Sequence, residues 1–135
     1  MSAKKSGLKP TEAELSLLNI LWQIGPATVK QIHLTVSETQ KIGYTTVLKI
    51  LQIMHEKTLV VRDETNRAHV YSPSNSEVQT QSSLLKDLVI KAFGGSTSKL
   101  VMRAISNSTT KAEINDIRQM LDQLEQDSET VDHTY

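Results

Sequence analysis

The apolar spacing of the chain is helical up to Met54, breaks into short β-branched runs between Leu59 and Tyr71, and becomes helical again from Leu85 onward. This change of period, at a fixed place in the order, constrains the fold more than any other feature. Each helical stretch in the first half has a marked start. Thr11-Glu12-Ala13-Glu14 has capping-box spacing, in which the Thr hydroxyl satisfies a free backbone N–H and the Glu reaches back to the cap. Leu15, Leu18, Leu21 and Trp22 follow at helical intervals until Gly25-Pro26 stops the run. Thr28-Val29-Lys30-Gln31 opens a second helix, expected to reach about Glu38 with Val29, Ile32 and Val36 inward. Lys41-Ile42-Gly43 makes a turn. A third helix is predicted from about Thr45 to Glu56, with Val47, Ile50, Leu51 and Met54 as its inner stripe.

The β-branched runs are Leu59-Val60-Val61-Arg62 and Ala68-His69-Val70-Tyr71, separated by the polar, turn-prone Asp63-Glu64-Thr65-Asn66-Arg67. Together they read as a β-hairpin. Three short helices and a hairpin, with one helix entered through a tight turn, is the order of a winged helix-turn-helix, although other small α+β domains share it. Ser72-Pro73-Ser74-Asn75 then breaks the chain and caps the next helix.

Three further helices are predicted. The first runs from about Ser76 to Phe93, with Leu85, Leu88, Val89 and Ala92 on one side and Gly94-Gly95 at its end. The second, from Thr97 to about Ile105, carries Leu100, Val101, Ala104 and Ile105. The third begins after Thr110, which has capping-box spacing to Glu113, and carries Ile114, Ile117, Leu121 and Leu124 three, four and three residues apart. So short a helical tail buries too little surface to fold alone. Its stripes need either the head or a second copy of the chain, and their narrow, repeated form favours the second copy. The expected organisation is a winged-helix head over residues 1–73, a helical dimerisation domain over 74–127 and a frayed tail over 128–135. The fold class is mainly α, with a small β component.

Composition narrows the function. Lys+Arg and Asp+Glu both number 15, yet residues 1–75 hold nine basic against six acidic groups, a net of +3, leaving −3 beyond. A basic head and an acidic tail suit a protein that meets a polyanion with one part only. The chain has no cysteine, which removes disulfides and thiolate metal sites and fits a reducing compartment. Met1–Lys9 lacks the apolar core of a signal peptide, and no window approaches the roughly 18 apolar residues of a membrane span. A cytoplasmic protein without direct membrane association is therefore expected. His33, His55, His69 and His133 have no metal-ligand spacing, and Gly94-Gly95 follows a helix rather than a strand, unlike a phosphate-binding loop. No enzyme activity and no cofactor are expected.

Several blocks in this order resemble the penicillinase-repressor (BlaI/MecI/CopY) family. They are Leu8…Thr11-Glu12-Ala13-Glu14 with Leu21-Trp22; Gly43-Tyr44-Thr45-Thr46-Val47 with Leu51, Met54 and Lys57; Leu59-Val60, Arg62 and Arg67-Ala68…Tyr71-Ser72-Pro73; and Phe93-Gly94-Gly95-Ser96 before Leu100-Val101. The likeness spans about Leu8 to Leu124. It implies a homodimeric transcriptional repressor that binds a palindromic operator, with the tail as dimer interface and, in some members, a membrane-bound sensor protease as inducing partner. Three departures stand out. Thr58 occupies the slot where the family commonly has a left-handed glycine, so a different helix ending is expected. The family's cleavable Asn-Phe pair corresponds to Arg103-Ala104, which leaves that mode of induction without support. The cysteine-rich terminus of copper-responsive members has no counterpart.

In a helix-turn-helix the N-terminal turns of the second motif helix enter the major groove. The candidate DNA-binding residues there are Tyr44, Thr45, Thr46, Lys49 and Gln52. Thr45 and Thr46 could instead cap their own helix, and Tyr44 could pack under the wing. Lys49 lies four residues beyond Thr45 on the same outward face, and Gln52 could pair with adenine. Lys30 at the start of the second helix, Arg62 on the wing strand and Arg67 at the wing tip are candidates for phosphate or minor-groove contact. Each of these cations could equally be a solvated surface charge. The competing function is a winged-helix protein-interaction module without DNA binding.

Overall fold

The computed structural model describes residues 9–133. Helix α1 spans Glu12–Ile24, strand β1 Ala27–Thr28, α2 Val29–Val36, α3 Tyr44–Glu56, β2 Val60–Asp63, β3 Val70–Pro73, α4 Glu77–Ala92, α5 Thr97–Ser108 and α6 Lys111–His133. Residues up to Leu85 form one compact unit and those from Lys86 a second, so the division falls inside α4. The first unit is a winged helix-turn-helix and the second is wholly helical, which gives the mainly α class expected from the pattern.

Both capping boxes of the head form. The Glu14 backbone N–H donates to Thr11 Oγ1 (3.2 Å) and the Thr11 N–H to Glu14 Oε1 (2.8 Å). Thr28 and Gln31 repeat the arrangement at α2, with distances of 3.3 and 2.9 Å. The core beneath comprises Leu17, Leu18, Leu21, Ala27, Val29, Ile32, Val36, Val47, Leu51, Met54, Leu59, Val60 and Tyr71. At a net gain of about 25 cal/mol per Å² of apolar surface withdrawn from water, these contacts hold the three helices and the sheet together. The inward stripe of α1 is centred on Leu17, Leu18 and Leu21 rather than on Leu15 and Trp22, which are only half-buried. The reason is Glu14. It turns inward to meet Lys57, and residues three and four positions later follow it onto the same face.

The sheet has three strands in the order β1-β3-β2, all antiparallel. The hairpin was expected, with strands one or two residues earlier in the chain. The two-residue β1 was not: Ala27 pairs with Tyr71 and Thr28 with Val70, so the wing is tied to the entry of α2. Trp22 Nε1 donates to the Asn75 carbonyl (3.1 Å), anchoring the segment that leaves the wing.

Helix α3 ends in the geometry that a glycine usually supplies. Thr58 has φ +61°, the Leu59 N–H donates to the Met54 carbonyl (2.9 Å) and the Thr58 N–H to that of His55 (3.1 Å). This is the Schellman pattern with threonine in the left-handed slot. The expected change in helix ending is therefore corrected. The paired carbonyls and the buried Met54 and Leu59 hold the bend despite the Cβ.

The C-terminal helices contrast with the head, since none of residues 72–107 and 109–129 is buried. Ser76 and Gln79 form a capping box at α4, Ser96 caps α5, and Thr110 and Glu113 bond reciprocally at α6. Leu85, Leu88, Ile114, Leu121 and Leu124 are exposed, while Val89, Leu100 and Ile117 are half-buried. Helix α6 continues to His133, beyond Asp127 where the apolar pattern ends and fraying was expected. Helical hydrogen bonding does not require an apolar stripe, and Gln123 Nε2 also donates to Asp127 Oδ1 one turn along (3.1 Å). The last two positions of the expected tail, 134 and 135, lie outside the described residues.

Candidate nucleic-acid interface

Burial of Val47, Leu51 and Met54 fixes the rotation of α3 and turns the opposite side outward. Thr45, Thr46, Lys49 and Gln52 are all exposed on that side. Thr45, Lys49 and Gln52 stand at the i, i+4, i+7 spacing of a single stripe, and the next position along it is the exposed acid Glu56. The stripe is therefore cationic and hydroxylic in its N-terminal half and anionic at its far end.

The N-cap of α3 is Gly43, and it makes no side-chain cap bond. This corrects the capping alternative for Thr45 and Thr46, which lie inside the first turn with neither hydroxyl engaged among the described residues. The ring contact of Tyr44 is to α2. The residue is half exposed, and its ring meets that of His33 on α2 edge-on, with centroids 5.8 Å apart and planes at 78°. His33 Nε2 lies 2.8 Å from the Ile42 carbonyl in the turn before α3.

The wing sorts its two arginines. Arg62 Nε and Nη2 reach Glu64 Oε2 at 2.7 and 2.6 Å. Hydrogen bonding to Tyr71 and then to Glu64 raises the Arg62 pKa, and the Arg62 guanidinium holds the Glu64 carboxyl below its ordinary value. Asp63 is likewise lowered, by hydrogen bonds from the Thr65 hydroxyl and backbone. Arg67 is exposed at the tip and has no ion-pair partner among the described residues. Lys30, on α2, and Lys49, on α3, are exposed and unpaired in the same sense.

Lys57 is diverted to a structural role by Glu14. The head's unpaired cations thus include Lys30, Lys41, Lys49 and Arg67. Lys41, exposed in the turn between α2 and α3, was missed as a candidate. Its signal was available, since a cation two residues before the N-cap of the motif's second helix has the same access as Lys30.

The model of the penicillinase repressor family matches residues 10–123. The chain belongs to the penicillinase repressor family. Its matched segment runs from the start of α1 to within α6, so both units are family features. Two curated relatives, each called transcriptional regulator BlaI and from the CDC 1551 and H37Rv strains of Mycobacterium tuberculosis, are 27% identical over 115 residues, covering 84% of this chain and 83% of theirs. Membership in the penicillinase repressor family makes this chain a DNA-binding transcriptional regulator of repressor type. No helix among the described residues is long and apolar enough to cross a membrane.

Proposed function

We propose that this penicillinase-repressor family member acts as a homodimer on a palindromic operator, reading DNA with the N-terminal half of α3 and holding the backbone with Lys30 and Arg67. The observation that carries the reading is the exposed Thr45-Lys49-Gln52 stripe on a helix whose other side is locked into the core. Thr45, Thr46 and Gln52 supply contacts to base edges. Lys49 reaches a base edge or phosphate, and Tyr44 borders the same turn. Arg62 contributes only after releasing Glu64, so it ranks below Arg67.

Dimerisation is supported by α4 and α6, which expose Leu85, Leu88, Ile114, Leu121 and Leu124. A surface with that many exposed leucines and isoleucines is costly in water, and a two-fold partner covers it while doubling the DNA contacts. Residues 74–127 serve as the dimerisation domain on this reading. Where a membrane-bound sensor protease is the inducer, Arg103 and Ala104 mark the bond; both are exposed but helical, so cutting requires local opening of α5.

The test is binding of the full chain to promoter fragments from its own genomic neighbourhood, in excess nonspecific competitor DNA. Retention of one fragment supports the reading. A folded chain with no preference for any fragment, or one captured by a protein partner independently of salt and DNA, overturns it in favour of an interaction module.

A further inference from the structure

Among the described residues, α3 is the exception in how its start is held. A Ser or Thr side chain caps each of the other helices: Thr11 at α1, Thr28 at α2, Ser76 at α4, Ser96 at α5 and Thr110 at α6. The recognition helix has Gly43 at that position and no side-chain cap. A Cβ at Gly43 would meet nothing within 4 Å, so this start is held through its neighbours: Ile42 packs against the core, Val47 is buried, and the Gly43 carbonyl accepts the helical bond from the Val47 N–H (3.1 Å). The side chain that bonds to this turn from another element is His33. Its Nε2 bonds to the Ile42 carbonyl at 2.8 Å, and its ring meets Tyr44, the first residue of α3, at 5.8 Å. His33 is half-buried on α2, where the flanking Ile32 and nearby Val36 are core residues at 0% and 2% exposure. It is therefore mounted on one of the most firmly held elements of the head.

We propose that His33 is the positioning residue of the recognition helix, fixing its first turn from outside through Ile42 and Tyr44 and so leaving Thr45 and Thr46 uncommitted for DNA. The hydrogen bond sets the path of the turn, because a carbonyl acceptor demands a donor at Nε2. The edge-on ring contact holds Tyr44 against α2, within the rotation of α3 that the burial of Val47, Leu51 and Met54 already fixes. A side-chain cap would perform the same task from within α3, but a serine or threonine there would place its own hydroxyl at the helix start. Positioning from α2 avoids that. A small displacement at this turn moves every groove-facing side chain on the stripe, so the effect falls on operator affinity rather than on folding.

The inference rests on the DNA-binding reading, and the experiment separates the two. The full chain, His33→Ala, His33→Gln, His33→Phe and Tyr44→Ala are titrated onto the retained promoter fragment and onto nonspecific DNA, with dimer state and thermal unfolding measured alongside. If the unaltered chain retains no fragment, the function reading fails before His33 is in question. Given retention, His33→Ala should weaken promoter binding on the order of tenfold at temperatures where it is fully folded, with nonspecific binding changed little. His33→Gln, which keeps a donor at similar reach, should recover part of the loss, and His33→Phe, which keeps only a ring, a different part. His33→Ala combined with Tyr44→Ala should lose less than the two losses multiplied. Promoter affinity unchanged in a folded His33→Ala, equal losses on both DNAs, or no recovery with either Gln or Phe overturns the proposal.

Discussion

Lys57 Nζ lies 2.7 Å from Glu14 Oε1, joining the end of α3 to the start of α1. The Glu14 side chain is 5% exposed and Lys57 23%, and the same carboxylate oxygen accepts the Thr11 N–H. One oxygen therefore closes the cap of α1 and holds α3 by its C-terminus. Helix α3 thus has side-chain contacts from other elements at both ends, Glu14 at its C-terminus and His33 at the turn before its N-terminus.

Breaking that pair should destabilise the head. Burial alone pushes the Glu14 carboxyl up, but hydrogen bonds from Lys57 and Thr11 and the charge of Lys57 outweigh it, and the net position lies below the ordinary 4.5. Lys57→Ala leaves a buried carboxylate short of a partner, at a cost of about 1–3 kcal/mol. Because the folded-state value is depressed, the stabilisation is complete above about pH 5 and is lost as pH falls through the range below 4.5. Urea midpoints of the parent and of Glu14→Gln should therefore differ at pH 7 and converge on acidification. A constant gap across pH would mean that the charge of Glu14 is not what matters.

Thr58→Gly should stabilise the chain. Threonine at φ +61° carries a steric penalty of about 1 kcal/mol that glycine avoids, while the Schellman bonds need only the backbone. Thermal unfolding should shift upward by a few degrees for a head of this size. A lower midpoint would show that the Thr58 hydroxyl, 2.6 Å from the Lys57 carbonyl, contributes more than the strain removes.

Leu121→Glu should abolish the proposed self-association and weaken DNA binding together. The residue is 57% exposed in the single chain and lies between Ile117 and Leu124 on one face of α6. Sedimentation of a monomer with a folded head is the expected result. An unchanged dimer would remove the α6 face from the interface.

The wing arginines should behave differently. Arg67→Ala removes an unpaired cation and should lower the salt slope of DNA binding by about 1 per protomer if it meets a phosphate. Arg62→Ala should lower it less, because Glu64 already neutralises that guanidinium. Equal effects would imply that Glu64 leaves Arg62 on binding.

Elements were legible in the sequence wherever local rules act alone. The boxes at Thr11, Thr28 and Thr110, the inward Val29, Ile32 and Val36, and the hairpin period all stand in the structure. Features set by distant partners were not. Glu14 reads locally as a capping residue, and only its meeting with Lys57, 43 positions away, turns it inward and moves the α1 stripe to Leu17. Strand β1 is two residues long and exists because Tyr71 is there to pair with Ala27. Thr58 obeys the geometry of its site over its own propensity, since the surrounding hydrogen bonds and packing decide the helix end. Within the candidate interface the outward stripe of α3 followed from periodicity alone. The pairing of Arg62 and the role of His33 depended on the fold.

The groove-facing placement of Thr45 through Gln52 is tested most directly by footprinting the chain on its retained promoter fragment. Two protected major-groove segments with centres about 34 Å apart, or a multiple of that, are expected, both lost in a folded, dimeric Lys49→Ala at moderate salt. A footprint unaltered by Lys49→Ala, or protection confined to the minor groove, would place the DNA on another face of the head.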